Sequence, residues 1–347
     1  MVAPHGVKTV SAPALPAPPG HPLERPPARR PGSVRRTSSL DMSWPGGQGT
    51  QMRILGRARD LRTAEDGSGT VLAHDSLAVG IGPDRTIEDI AAEPSRPGIA
   101  GLVGARGGGG LRSAIDAAVP DDRRDHTPLA LILDDIAGAS LVGGFAWSRH
   151  RPDWRGGAGP ESPGDAAPRI QRRTMLGICA GFRPGSGALR PDGTPVGGGH
   201  NVAPVPPLTD PDDPDGWHPM EPLAPVGLRR ARRMDVWREG GDFRIEAHFR
   251  DSCSDPDLVE VAVHEYLLDA AVDAATGTVT SLVARPMVLP YPECPAAAPN
   301  VDWLVGQPLV ELRTKVLEVL RGPDCCTHLN DALRALADID ALLPSTA

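Results

Sequence analysis

Five cysteines and one late histidine are the residues in this chain best suited to chemistry. Cys294, Cys325 and Cys326 lie between Pro290 and Leu343, with His328 two residues past the last of them; Cys179 and Cys253 stand alone. Gly322-Pro323-Asp324-Cys325-Cys326-Thr327-His328-Leu329 reads as a stop followed by a helix start. Backbone N–H groups at a helix start favour a thiolate. Cysteine and histidine together are soft ligands suited to zinc or an iron–sulfur centre. Their spacing fits no zinc-finger or ribbon formula. Three readings therefore stay open: a metal or cluster site; small apolar residues buried in a core; and a cysteine nucleophile with His328 as base, the mark of an enzyme in a catabolic pathway. His248 and His264 point across strands and are second-choice ligands.

The elements that must position these groups fall in two stretches. In the first, Met52–Asp60, Val71–Ile81 and Thr86–Ala92 read as strands, and Leu111–Val119 and Leu129–Val142 as helices. In the second, Phe243, Ile245, Ala247 and Phe249 alternate with charged residues, so one strand is half buried. Leu258–Val272 and Val279–Leu289 make two more strands. Pro308 opens a helix with Leu309, Leu312, Val316 and Leu320 on one face, and Leu329, Leu333, Leu336 and Leu343 mark the last helix. Ile170–Phe182, around Cys179, reads as a short helix. Gly107–Gly110 lacks the Lys-Ser/Thr of a phosphate loop and reads as a joint. Asp210-Pro211-Asp212-Asp213-Pro214-Asp215 does not fit a calcium loop and reads as solvated.

The two stretches echo each other in order. Arg35-Arg36 matches Arg232-Arg233, Arg59-Asp60 matches Arg250-Asp251, His74 matches His264, and Leu102-Val103-Gly104 matches Leu304-Val305-Gly306. The expected fold is α+β: two tandem related units, each a three-stranded antiparallel meander followed by two helices. The expected divisions are a disordered tail at 1–32, a first repeat at 33–149, a connector at 150–231, and a second repeat at 232–347 carrying the Cys/His site. The first unit lacks the thiols.

Composition narrows the partners. A net charge of −8 argues against nucleic acid, and 34 of the 36 basic residues are arginine. No apolar run reads as a membrane span, and the start of the chain has no apolar signal core. Irregular cysteine spacing in a long chain argues for reduced thiols in the cytoplasm. A protein partner or a small-molecule ligand remains open, as does oligomeric state.

The ending Pro290-Tyr291-Pro292-Glu293-Cys294, Leu304-Val305-Gly306 and Cys326-Thr327-His328-Leu329 resembles a bacterial domain-of-unknown-function family, number 2889, over about 230–343. Cys325 stands where that family has glycine, and the match favours Cys326 as the functional thiol. The family implies no activity. The order of strands, Cys-x-Asp, a later cysteine and a Cys/His helix start also resembles the iron–sulfur cluster assembly scaffold fold. That resemblance implies the ligands Cys253, Asp255, Cys294, Cys326 and His328. It departs where His328 follows the cysteine by two instead of preceding it, and where 41 residues separate Cys253 from Cys294. A metal- or cluster-binding protein is thus the first expectation. A small-molecule-binding or interaction module without metal is the second.

Overall fold

The computed structural model describes residues 20–151, 175–196 and 201–346. The first half contributes β1 (Ser33–Ser43), β2 (Met52–Thr63), β3 (Gly69–Ile81) and β4 (Ile87–Glu93). The second contributes β6 (Gly227–Glu239), β7 (Asp242–Ser254), β8 (Glu260–Asp273) and β9 (Val279–Val288). The two-residue β5 (Ala203–Pro204) pairs with β8. Among the described residues all nine strands belong to one antiparallel sheet, ordered β4-β3-β2-β1-β6-β7-β8, with β9 also on β8. Each half therefore has four main strands, not three.

The added strands are β1 and β6, which pair with each other at the centre of the sheet. Their sequences, SVRRTSSLDMS and GLRRARRMDVWRE, do not alternate apolar with polar. They form strands because almost every charged side chain meets an opposite charge inside the protein. Arg36 stands opposite Asp60 on β2 and binds it through Nε and Nη2 at 2.6 and 2.7 Å. Arg230 stands opposite Asp251 on β7 and binds it at 2.8 and 3.0 Å. Burying an arginine is tolerable only with such planar two-point pairing.

Helices cover one face. Those of the first half are α1 (Leu111–Ala118), α2 (Pro120–Arg124), α3 (Pro128–Val142) and α4 (Gly144–His150); those of the second are α5 (Leu312–Val319) and α6 (Thr327–Ala335), the latter continued by a 3-10 stretch over Leu336–Thr346. Thr127 caps α3 by accepting from the Ala130 N–H, and Pro128 follows it. Pro128–His150 is long and apolar enough to cross a membrane, contrary to the sequence reading, but 72% of its most apolar window is buried in the protein. Two apolar clusters lie beneath the helices, one centred on Leu40, Ile54 and Ile136 and the other on Phe249, Leu268 and Leu333. Between them runs a charged seam. Arg232 binds Asp135, Arg334 and Arg313 bind Asp134, and Arg313 and His126 bind Asp338. Gly138 sits in the middle of α3 because a Cβ there would stand 2.1 Å from Arg230 Nη1.

Chain segments expected to be loose cover the opposite face. Arg35 binds Asp235, and its guanidinium also donates to the carbonyls of Gly216 and Pro27. Leu23 N–H donates to Glu265, Arg25 binds Asp210 and Asp212, and Arg29 binds Asp213. Residues 20–32 are thus packed onto the sheet, which corrects the disordered tail for that part; residues 1–19 lie outside the described residues. The aspartates of 210–213 serve as arginine partners. His218 is buried between the hydroxyls of Thr37 and Ser39, 2.9 Å from each. The expected helix at 170–182 is also corrected. Residues 170–174 lie outside the described residues, and residues 175–182 form turns that end in a 3-10 step at Ala180–Phe182. Most of the 150–168 loop is likewise outside them.

Candidate metal centre

The site is built from β7, β8 and α6. Asp251 lies on β7, opposite His264 on β8, and the register shifts between Asp251 and Ser252. That bulge changes which residues share a face beyond it. His328 comes from the first turn of α6. The turn is set by Gly322, whose φ of 55° brings the chain round, and by Cys326 at the cap position.

Asp251 Oδ2 lies 3.7 Å from His264 Nδ1 and 3.7 Å from His328 Nε2. Both separations are too long for hydrogen bonds. These three ligand atoms lie within 4.8 Å of one another, and among the described residues they are the one such group of three or more His, Cys, Asp or Glu. The imidazole rings stack face to face with centroids 3.4 Å apart and planes 15° apart. Arg230 grips both oxygens of Asp251, and a second carboxylate, Asp331, accepts from Nη1 at 2.9 Å. Asp251 is fully buried, whereas the His264 and His328 side chains keep 10% and 15% exposure. The group thus lies just beneath the surface. Burial holds the His328 ring well below the usual histidine range, and Arg230 and Arg232 beside it push the same way. It is a neutral imidazole, the form that ligates metals.

The residues singled out from sequence are distributed differently. Of Cys294, Cys326, His328, Cys253 and Asp255, only His328 enters this group. Cys253 stands on β7 between Leu228 and Val261, in the apolar cluster of the first half. Asp255 closes the β7–β8 turn by accepting from the N–H groups of Asp257 and Val259, each at 2.9 Å. Cys294, Cys325 and Cys326 join Cys179 in the apolar cluster of the second half. Cys326 Sγ is the nearest of them, 4.0 Å from His328 Nδ1.

The thiols are less acidic than a helix start implies. Burial pushes Cys179 up to about 11, and Cys253 and Cys325 up to about 12. Cys294 moves further in the same direction. For Cys326, burial outweighs the opposing pull of the Tyr266 hydroxyl and then of the Leu329 and His328 N–H groups. At neutral pH all five carry their protons, so desolvation overrides the helix start and the nucleophile reading gains no support.

Sequence reasoning missed Asp251 as a ligand and ranked His264 second. The signal was present in the hairpin: Asp251 and His264 are almost equally far from the Asp255–Val259 turn, which sets them opposite each other. His248 is a buried histidine outside this group, its Nε2 bonded to Glu265 at 2.7 Å. A void of ≈ 10 Å³, the size of one water, lies between the sheet and α6 beside Arg232, Ala332 and Ala335.

Residues 228–341 match the family described as Protein of unknown function (DUF2889). That stretch runs from β6 to the C-terminal 3-10 segment and contains Asp251, His264 and His328. No curated protein and no solved structure matches the chain.

Proposed function

We propose that the chain binds one divalent transition-metal ion, zinc or ferrous iron, through Asp251, His264 and His328. The carrying observation is the pair of 3.7 Å separations from one carboxylate oxygen to two imidazole nitrogens. Ligand atoms about 2.1 Å from a shared ion stand roughly 3.4 Å apart at the tetrahedral angle, and farther apart at wider angles. Two histidines and one carboxylate are a ligand set used by both zinc and ferrous sites with open positions. Arg230 holds both oxygens of Asp251, so the carboxylate ligand is fixed in orientation by a hydrogen-bonding neighbour. Three carboxylates, Asp135, Asp251 and Asp331, surround the guanidiniums of Arg230 and Arg232. An ion must lie close to both ring planes, so loading requires the stacked rings to turn apart. The ion would supply Lewis acidity at its open positions. The chain's own residues fix its carboxylate and keep the His328 imidazole neutral.

The test is titration of metal-free protein with zinc or ferrous iron, read by calorimetry. One equivalent is expected. His264→Ala and His328→Ala should each weaken binding at least 10- to 100-fold, while Cys253→Ser and Cys294→Ser should leave it unchanged. Absence of stoichiometric binding, or binding indifferent to the histidines, overturns the reading.

We also infer a common origin for the two halves, as copies of one unit. Support comes from the matching four-strand orders, from Arg36–Asp60 and Arg230–Asp251 as equivalent cross-strand pairs, and from register shifts directly after both aspartates. On this alignment His264 corresponds to Ala73, since each lies opposite its aspartate, and not to His74 as the sequence echo implied. The first copy thus has the carboxylate without this imidazole. A superposition of the halves that brought Asp60 far from Asp251 would refute it.

A further inference from the structure

Four of the five cysteines come from three distant segments, yet they gather in one apolar cluster with Tyr266. Two of them face a common gap. The position a Cβ would take on Gly181 is 2.7 Å from Cys294 Sγ and 3.8 Å from Cys179 Sγ. The absent side chain is what leaves the two sulfurs flanking the same space. The segment carrying Cys179 is turns and a single 3-10 step, docked through Ala180 N–H onto the Cys325 carbonyl at 2.7 Å. Cys294 opens the 3-10 stretch after β9. Both thiols are free in this structure.

We propose that Cys179 and Cys294 are a dithiol modification site that closes to a disulfide when the protein meets a small-molecule disulfide oxidant. The chemistry balances with that oxidant alone. The Cys179 thiolate attacks the oxidant, forming one S–S bond and expelling one small thiolate. Cys294 then attacks the mixed disulfide at the Cys179 sulfur, expelling the second. The protein loses two hydrogens and the oxidant leaves as two thiols. Cys179 is the entry point because it is the more exposed of the pair, 8% against 5%. It is also the less strongly raised thiol. A disulfide is neutral, which suits an apolar pocket that resists thiolates. Closure ties the 175–196 segment to the second half of the sheet.

The experiment incubates the full-length, metal-free protein with excess oxidised glutathione and maps peptides by mass under non-reducing conditions. The expected product is a Cys179–Cys294 peptide lighter by two hydrogens. Its formation should accelerate nearly tenfold per pH unit between pH 7.5 and 8.5, because the thiolate fraction limits the rate. Gly181→Ala keeps both thiols but fills the gap, and should slow closure at least tenfold. Cys253→Ser and Asp251→Asn should leave it unchanged, which separates this site from the metal centre. A crosslink to Cys325 or Cys326 instead, a glutathione adduct that stays on Cys179, or closure unaffected by Gly181→Ala overturns the proposal.

Discussion

Gly138→Ala tests the charged seam by setting two effects of opposite sign against each other. Helix propensity alone favours alanine in the middle of α3 by about 1 kcal/mol. The structure argues the other way. The new methyl would stand 2.1 Å from Arg230 Nη1 and 2.6 Å from Asp331 Oδ2. A flexible arginine end normally swings aside, but this one is wholly buried and held by Asp251, Asp331 and Asp135. Displacing Nη1 sacrifices its 2.9 Å bond to Asp331, and a hydrogen bond between charged groups contributes about 1.5–3 kcal/mol. Overpacking adds about 1–3 kcal/mol. After subtracting the propensity gain, the variant should be destabilised by about 1.5–5 kcal/mol, read as a lower urea midpoint with unchanged slope. In an Arg230→Lys background the ammonium vacates the space beneath Gly138, so the same substitution should cost at least about 1 kcal/mol less. A Gly138→Ala protein more stable than the parent would refute the claim that this guanidinium is fixed.

Removal of residues 1–32 should lower the melting temperature, because Glu265, Asp213 and the Arg35 guanidinium each lose a partner; an unchanged melting curve would contradict the docking of residues 20–32. Asp338 should control acid stability. Burial pushes its carboxyl up, but Arg313, His126 and Arg36 outweigh this and hold it at about 2. Its folded value lies below the unfolded one, so its contribution, on the order of 2 kcal/mol, is present above about pH 4 and lost as pH falls towards 2. Asp338→Asn should remove that limb from a plot of urea stability against pH. His218 acts at milder pH. Burial, reinforced by Arg59, Arg57 and Arg229, depresses it to about 3, so stability should fall as pH drops from 6.5 towards 3. His218→Gln should flatten that slope, and a wild-type curve flat over this range would argue against a buried neutral ring.

The parts of the fold legible in the sequence are those with apolar signals. The alternation from Phe243 to Phe249 and the runs of β8 and β9 were legible because aliphatic side chains mark a buried face directly. The start of α6 was legible from its glycine and proline stop. The central strands were not. Arg35, Arg36, Arg230 and Arg232 look like surface residues until their partners are known, and Asp235, Asp60, Asp251 and Asp135 reach them across strands or from α3. Cysteine stood out as the ligand type most associated with metals, whereas Asp251 entered the sequence reading only as half of the repeated Arg-Asp dipeptide. Periodicity also cannot show that a proline-rich stretch such as residues 20–32 finds acceptors on a sheet face.

The β1–β6 seam has a consequence for how the protein is made. Arg35 meets Asp235 across 200 positions of chain, so on a ribosome the first half emerges with β1 paired to β2 on one side long before β6 reaches its other edge. Until β6 arrives, β1 is an open edge on which Arg35 and Asp41 lack their β6 partners. Such an edge invites pairing with another chain, and its unpaired charges are what discourage that. Contacts this distant in sequence also slow the final closure. The β1 charges that later tie it to β6, Arg35 and Asp41, therefore serve first as guards of an unfinished edge.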